Sequence, residues 1–355
     1  MANPKQATAS VPISMSRPTA LVAAALVAGM FLGCGGGTDS ADPSATGGRR
    51  FLSLGTAPPG GAFFVVGGAL ADVLNTRDGW QVTAEATKGS QENIRRLARG
   101  ELDFALSNAA ITYFAVRGTE GWEQAYPMRS VMTLAPNVGL FVAPQSSPVK
   151  ALADLRGRRV VVGPAGAGFE YFLKPLLGAH GVRYEDFTPL NNTQTGTVDM
   201  LTDGSAAAAF LGGAIPTASI TQASSSLDLH FVPFESSQVA GVVAQYPFFQ
   251  EAVIPAGTYR GLDQDFQALD VGSMHLITGA DVPDDLVYEV TKAIWDLRDQ
   301  VTSRHPAGRD IRADNVTRDV GTEFHPGAVR FYREIGIWPA AGSGEEAATP
   351  SAASE

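Results

Sequence analysis

The sequence predicts an α/β protein built as two lobes with a ligand cleft between them. Three observations predict it. First, 355 residues that are 45% hydrophobic and 17% charged have a globular composition and are too many for one ordinary core. Second, strand-like and helix-like patterns alternate along most of the chain, as in mostly parallel sheets covered by helices. Third, a strand runs three times into a glycine-bearing turn and then a helix. Two of these turns lie in an early unit and one in a later unit. Turns of this kind gather at the carboxyl ends of strands in open α/β sheets, where ligands bind.

The leader comes first. Ala20 to Leu32 is an apolar run, and Lys5 and Arg17 are the only charged side chains ahead of Cys34. The run is short for a membrane span and suits an export signal. Cys34 is the only cysteine and follows Phe31-Leu32-Gly33. This resembles a bacterial lipobox, in which the cysteine is lipidated and becomes the mature N-terminus; Phe31 stands where leucine is usual. A lone cysteine in an exported chain has no internal disulfide partner. The chain is therefore expected in the periplasm or on the outer face of the cytoplasmic membrane, attached through lipidated Cys34; the alternative is a soluble exported protein whose signal peptide is cut elsewhere. The small polar stretch that follows reads as a flexible tether.

Strands are expected at Phe51 to Thr56, Trp80 to Ala86, Asp103 to Ser107, Met132 to Leu134 and Gly139 to Ala143. Helices are expected at Ala62 to Asn75, with Phe63, Val66, Leu70, Val73 and Leu74 at helical spacing, and at Gln91 to Arg99. In the later unit, strands are expected at Arg159 to Val162, Ala206 to Leu211 and His230 to Val232, and a helix at Phe169 to Leu177. Gln245 to Tyr259 reads as loop and Asp270 to Thr278 as one strand. Pro283 to Val301 reads as one helix with Leu286, Val290, Ile294 and Leu297 on a face. No repeat of 20–50 residues is visible, which excludes solenoids and propellers.

The three turns are Thr56…Pro59-Gly60-Gly61-Ala62, Thr87-Lys88-Gly89-Ser90-Gln91, and Gly163-Pro164-Ala165-Gly166-Ala167-Gly168. Glycine permits tight turns and close approach of a ligand to the backbone. The helix that follows offers unpaired N–H groups and the positive end of its dipole, which suit carboxylates and phosphates. Backbone donors at Gly61, Ser90 and Gly168 are thus candidates, with Lys88 as a counter-charge and Asn93 as a hydrogen-bonding side chain. Ser90 equally suits an N-cap. Phe63 and Phe64 point in different directions, so one of the two could face the cleft.

Catalytic signals are thin. The five histidines show no metal spacing, and there is no nucleophile elbow, no Walker loop and no ordered dinucleotide fingerprint. No enzyme activity, no metal and no cofactor are expected. A net charge of −10 with no basic stripe makes nucleic acid an unsuitable partner.

The ordered motifs resemble the TAXI family of solute-binding subunits of tripartite ATP-independent periplasmic (TRAP) transporters. The resemblance runs from about Phe51 to Trp338. It rests on Gly55-Thr56-Ala57-Pro58-Pro59-Gly60-Gly61, Ala86-Thr87-Lys88-Gly89-Ser90-Gln91-Glu92-Asn93 and Ala153-Asp154-Leu155-Arg156-Gly157. It continues through Ile254-Pro255-Ala256-Gly257-Thr258-Tyr259, Val287-Tyr288, His325-Pro326-Gly327-Ala328, Phe331-Tyr332 and Gly336.

The resemblance implies a bilobed, Venus-flytrap fold of the periplasmic-binding-protein kind, type II-like. It also implies a receptor for a small organic anion such as a glutamate-like amino acid or a dicarboxylate, and TRAP membrane subunits as partners. The expected organisation is a lipoprotein-type signal at 1–34, a tether at 35–50, a discontinuous first lobe at 51–142 plus 245–340, a second lobe at 143–244, and a disordered tail at 341–355. Other readings in the same frame are an orphan or sensory binding lipoprotein and an exported enzyme.

Departures from the family pattern share a direction. A usual tyrosine pair is Phe63-Phe64, and a Gly-Ser-Gly-Thr turn is Gly166-Ala167-Gly168-Phe169. Leu-Tyr-Pro becomes Leu134-Ala135-Pro136, a common acidic residue is Ala110 beside Asn108, and an aspartate is lost at Ala206 or Ala207. The expected ligand contacts are therefore Gly60, Gly61, Phe63, Phe64, Lys88, Ser90, Asn93, Asn108, Gly166, Ala167, Gly168 and Phe169. One reading of these changes is a ligand more apolar than glutamate, for example a branched-chain or aromatic organic acid; the other is that the lost side chains never touched ligand or that drift has weakened binding.

Overall fold

The computed structural model describes residues 50–339. The expected signal at 1–34, Cys34, the tail at 341–355 and all of the tether except Arg50 lie outside the described residues.

The first lobe opens with β1 (Arg50–Gly55), α1 (Ala62–Leu74), β2 (Trp80–Glu85), α2 (Ser90–Ala98), β3 (Phe104–Asn108), α3 (Ala109–Arg117) and β4 (Met128–Thr133). The chain then crosses to the second lobe. That lobe holds β5 (Val138–Pro144), β6 (Arg159–Val161), α4 (Glu170–Ala179), β7 (Thr188–Leu190), α5 (Gln194–Thr202) and β8 (Ala208–Gly213). It continues with α6 (Ala218–Ser226), β9 (Leu229–Val232), α7 (Ser236–Gln245), β10 (Phe249–Ile254) and β11 (Phe266–Val271). A second crossing returns to the first lobe for β12 (Met274–Gly279), α8 (Asp284–Asp296), α9 (Arg298–Arg304) and α10 (Pro326–Glu334).

Two sheets result. One has five strands in the order β2-β1-β3-β12-β4; the other has seven, in the order β10-β11-β5-β8-β6-β7 with β9 beside β5. Parallel pairing is confined to β2-β1-β3 and β7-β6-β8. Every other pair is antiparallel, including both pairs made by the returning strand β12. The expectation of mostly parallel sheets is thus corrected. The strands of β1-α1-β2-α2-β3 and of β6-α4-β7-α5-β8 run parallel, whereas β5 and β12, which enter a lobe at a crossing, run the other way.

Strand pairing also shifts the expected lobe limits. β5 begins at Val138, and both β10 and β11 belong to the seven-stranded sheet, so 245–271 departs from the first lobe to which it was assigned. β10 occupies the middle of the loop expected at Gln245 to Tyr259. Its two ends, Phe249 and Ile254, are buried, while Gln250 to Val253 between them alternate between half-buried and exposed, as on an edge strand with one covered face. The single strand expected at Asp270 to Thr278 is two strands in different sheets. The break falls at Gly272, whose φ is +113° and where a Cβ would sit 2.5 Å from the Asn108 Oδ1; only glycine fits such a passage. The helix expected over Pro283 to Val301 breaks at Leu297 into α8 and α9.

Each lobe has its own apolar core. α1 packs Val66, Leu70, Val73 and Leu74 against β1, β3 and α8. In the second lobe Leu140, Val161, Leu211 and Ile220 are fully buried together. Burial of each such side chain is worth about 1.5–3 kcal/mol. A third cluster belongs to both lobes, joining Ile94, Phe114 and Trp122 to Tyr171, Phe172 and Phe248.

Candidate functional site

The two crossing segments, 134–137 and 272–273, lie side by side. Leu134 N–H donates to Met274 O (2.8 Å), Met274 N–H to Ala135 O (2.9 Å) and Val271 N–H to Asn137 O (3.1 Å). Asp270 ties the pair together. Its Oδ1 accepts from the N–H groups of Asn137 (3.0 Å) and Gly272 (3.2 Å), and its Oδ2 from the Ser273 hydroxyl. Burial pushes the Asp270 carboxyl up, while the Ser273 hydrogen bond and the Arg318 charge pull it back. Arg318 reaches Ser273 Oγ at 2.5 Å and lies 3.8 Å from Asp270 Oδ2. Behind them His275 is fully buried, with Nε2 2.8 Å from Thr112 Oγ1. Burial and the Arg318 charge hold its pKa down at about 3.

In front of this hinge a cavity of about 730 Å³, counting its open mouth, separates the lobes. Its lining comes from the carboxyl ends of all six parallel strands. After β1 stand Ala57, Pro58, Pro59, Gly60, Gly61, Ala62 and Phe63; after β2, Lys88, Gly89 and Ser90; at the end of β3, Asn108. The second lobe answers with Pro164, Ala167 and Phe169 after β6, Thr193, Gln194 and Thr195 after β7, and Gly212 and Gly213 at the end of β8. Asn137 enters from the crossing.

Helix starts converge here for a local reason. The turns after β1 and β2 end in Gly61 and Gly89, which precede α1 and α2 without any capping side chain. The first-turn N–H groups of a helix have no intrahelical partner, so such an end favours an anion. Gly89 has φ +118° and lies against the other lobe, since a Cβ there would be 3.3 Å from Ala167. The tip of α5 is capped differently, by Thr193, whose side chain accepts from Gly196 N–H (3.1 Å).

Eight of the expected contact residues line the cavity: Gly60, Gly61, Phe63, Lys88, Ser90, Asn108, Ala167 and Phe169. Four do not. Phe64 is partly buried on the neighbouring face of α1, and Gly166 and Gly168 shape the turn around Ala167. Asn93 is fully buried, and its Nδ2 donates to Thr56 O (2.7 Å) and Leu106 O (2.8 Å), tying β1 to β3 beneath the cavity. Ser90 is the first helical residue rather than the N-cap, which is Gly89. Its Oγ accepts from Asn108 N–H (2.9 Å), leaving its own hydrogen free to donate. Asn108 caps α3 through Ala110 N–H (2.9 Å) and donates from Nδ2 to Gly272 O (2.6 Å).

Sequence reasoning missed Asn137 and the whole contribution of β7–α5. The signal for the latter was present in Asn191-Asn192-Thr193-Gln194, a polar N-cap after a short strand. The turn carries no glycine, so the glycine-turn pattern does not reach it.

Among the described residues Lys88 is the only formal charge on the lining. It is exposed, its alkyl stem packs over Gly166, where a Cβ would lie 3.6 Å from Lys88 Cδ, and its ammonium has no ion-pair partner among the described residues. Between the lobes, Gln91 Nε2 donates to Tyr171 OH (3.0 Å), and Trp122 stacks on Tyr171 at 5.4 Å. No cluster of three His, Cys, Asp or Glu suited to a metal ion occurs among the described residues.

Residues 54–336 match the model of the NMT1-like family. Among solved structures, PhnD1 from Prochlorococcus marinus (MIT 9301) in complex with methylphosphonate is 11% identical. It has a TM-score of 0.51 and covers 80% of this chain and 95% of its own. A protein from Bordetella bronchiseptica RB50 is 12% identical, with a TM-score of 0.50, over 82% of this chain and 91% of its own. The fold is the bilobed α/β fold of periplasmic binding proteins.

Proposed function

The chain belongs to the NMT1-like family, and from that membership we propose that it is an exported solute-binding receptor, not an enzyme. It captures a small organic anion between its lobes and delivers it to membrane transporter subunits. In the finer reading these subunits form a TRAP permease, the receptor is of TAXI type, and Cys34 carries the lipid that holds it at the outer face of the membrane.

The observation that supports the reading best is the charge and donor pattern of the cavity. Lys88, with no ion-pair partner among the described residues, stands just before the start of α2; that start carries Glu92, whose Oε2 accepts from Lys88 N–H (3.0 Å), whereas the start of α1 has neither a capping side chain nor an acidic residue, and no carboxylate lies on the lining among the described residues. An anion there gains a charge-assisted hydrogen bond and the open dipole end of α1. Contacts made by both lobes exist together only in the closed form, so binding shifts the hinge equilibrium toward closure.

Native mass spectrometry of the full-length chain, followed by calorimetry with the co-purifying compound, tests this. The expected result is a 1:1 complex with an organic anion whose affinity falls about tenfold or more in Lys88→Gln, as for loss of a charged hydrogen bond. A cationic or neutral compound bound independently of Lys88 would overturn the reading.

A further inference from the structure

We infer that the bound anion is an apolar monocarboxylate that carries no ammonium group, such as a branched-chain or aromatic 2-oxo acid. The inference rests on the receptor reading above and narrows its ligand class.

The argument is a census of what the cavity can donate and accept. Donors are plentiful: the Lys88 ammonium, the Ser90 hydroxyl hydrogen, and the first-turn N–H groups of α1 and α2. Asn137 adds a side-chain amide. It is only 7% exposed, lines the cavity, and makes no side-chain hydrogen bond within the described residues. That amide opens onto the cavity, where a ligand can bond it.

Acceptors suited to an ammonium are scarce. No Asp or Glu lines the cavity. Asn108 Oδ1 is taken by Ala110 N–H, Gln194 Oε1 by the Ser219 hydroxyl (2.6 Å), Gly212 O by Gln194 Nε2 (2.8 Å), and Thr193 Oγ1 by Gly196 N–H. An enclosed ammonium would lose its water and find no carboxylate on the lining, with the Asn137 carbonyl and the Thr195 hydroxyl as the side-chain acceptors left to it among the described residues, which is unfavourable. A second carboxylate fares no better, because Lys88 has no companion cation. The remaining walls, Pro58, Pro59, Phe63, Pro164, Ala167 and Phe169, offer apolar surface. A carboxylate or 2-oxo carboxylate head presents acceptors only, which matches the donor set, and its hydrocarbon tail matches those walls.

The test is calorimetry of the full-length chain with matched pairs: 4-methyl-2-oxopentanoate against L-leucine, phenylpyruvate against L-phenylalanine, with L-glutamate and 2-oxoglutarate alongside. At least one oxo monoacid is expected to bind about tenfold or more tighter than its amino-acid twin and than either dicarboxylate. That binding should weaken about tenfold in Lys88→Gln and recover in part in Lys88→Arg, and should weaken separately in Asn137→Ala. Unchanged melting temperatures would show that these variants fold. Tighter binding of an amino acid or a dicarboxylate would sink the inference and leave the anion receptor standing. Binding of none of the six would overturn both.

Discussion

Lys88 and Asn93 look alike in the sequence, two polar residues in one glycine turn and helix start, yet they play opposite parts. Lys88 reaches the cavity with nothing to pair with. Asn93 spends both amide hydrogens on Thr56 O and Leu106 O, fully buried. Replacing Asn93 by Ala removes both bonds; Thr56 O keeps the Thr87 hydroxyl (3.0 Å), so Leu106 O is the carbonyl that loses its side-chain donor, and an unmet group costs about 1–3 kcal/mol. Asn93→Ala is therefore expected to lower stability to urea by roughly 1–3 kcal/mol while leaving ligand affinity within about twofold. A loss of affinity without loss of stability would place Asn93 in the site after all. The sequence could nominate this turn because its glycines are explicit. It could not sort the two residues, since that depends on where β3 lies relative to α2.

The hinge elements carry the pH response. His275 on β12 is neutral in the fold, with its pKa held near 3 by burial and the Arg318 charge. In the unfolded chain it titrates near 6.5. Between those values the unfolded state binds the extra proton, so stability declines as pH falls through the window. The slope from this one group is at most about 1.4 kcal/mol per pH unit. His275→Gln is expected to flatten the decline in melting temperature between pH 6.5 and 4 relative to the parent; parallel curves would show that other groups dominate. Element placement was legible where the pattern was strong: β1, α1, β2, α2 and α4 lie within a residue or two of expectation. The crossing was not. Asp270 to Thr278 is continuous apolar strand-like sequence, and only the contact of Gly272 with Asn108, 164 residues apart, divides it between two sheets.

At the scale of the molecule, two lobes share the cluster of Phe114, Trp122, Tyr171 and Phe248 and face each other across Gly89 and Ala167. A bulky side chain at that facing point should act as a wedge. Ala167→Phe is expected to enlarge the radius of gyration measured by X-ray scattering at saturating ligand and to weaken binding about tenfold or more, because contacts from both lobes must form together. An unchanged radius would mean that this contact does not govern closure. The bilobed form was legible from length and from turns in two units. The lobe limits were not, because β10 and β11 return to the second sheet through pairings that leave no local trace. Asn108 presents one amide to three tasks: it fronts the cavity, begins α3 and braces Gly272 at the passage between halves. A lineage that exchanged it to suit a new ligand would alter the join between the two lobes in the same step. Changes of ligand are thereby channelled toward Phe63, Pro164 and Thr195, which line the cavity without bracing that join.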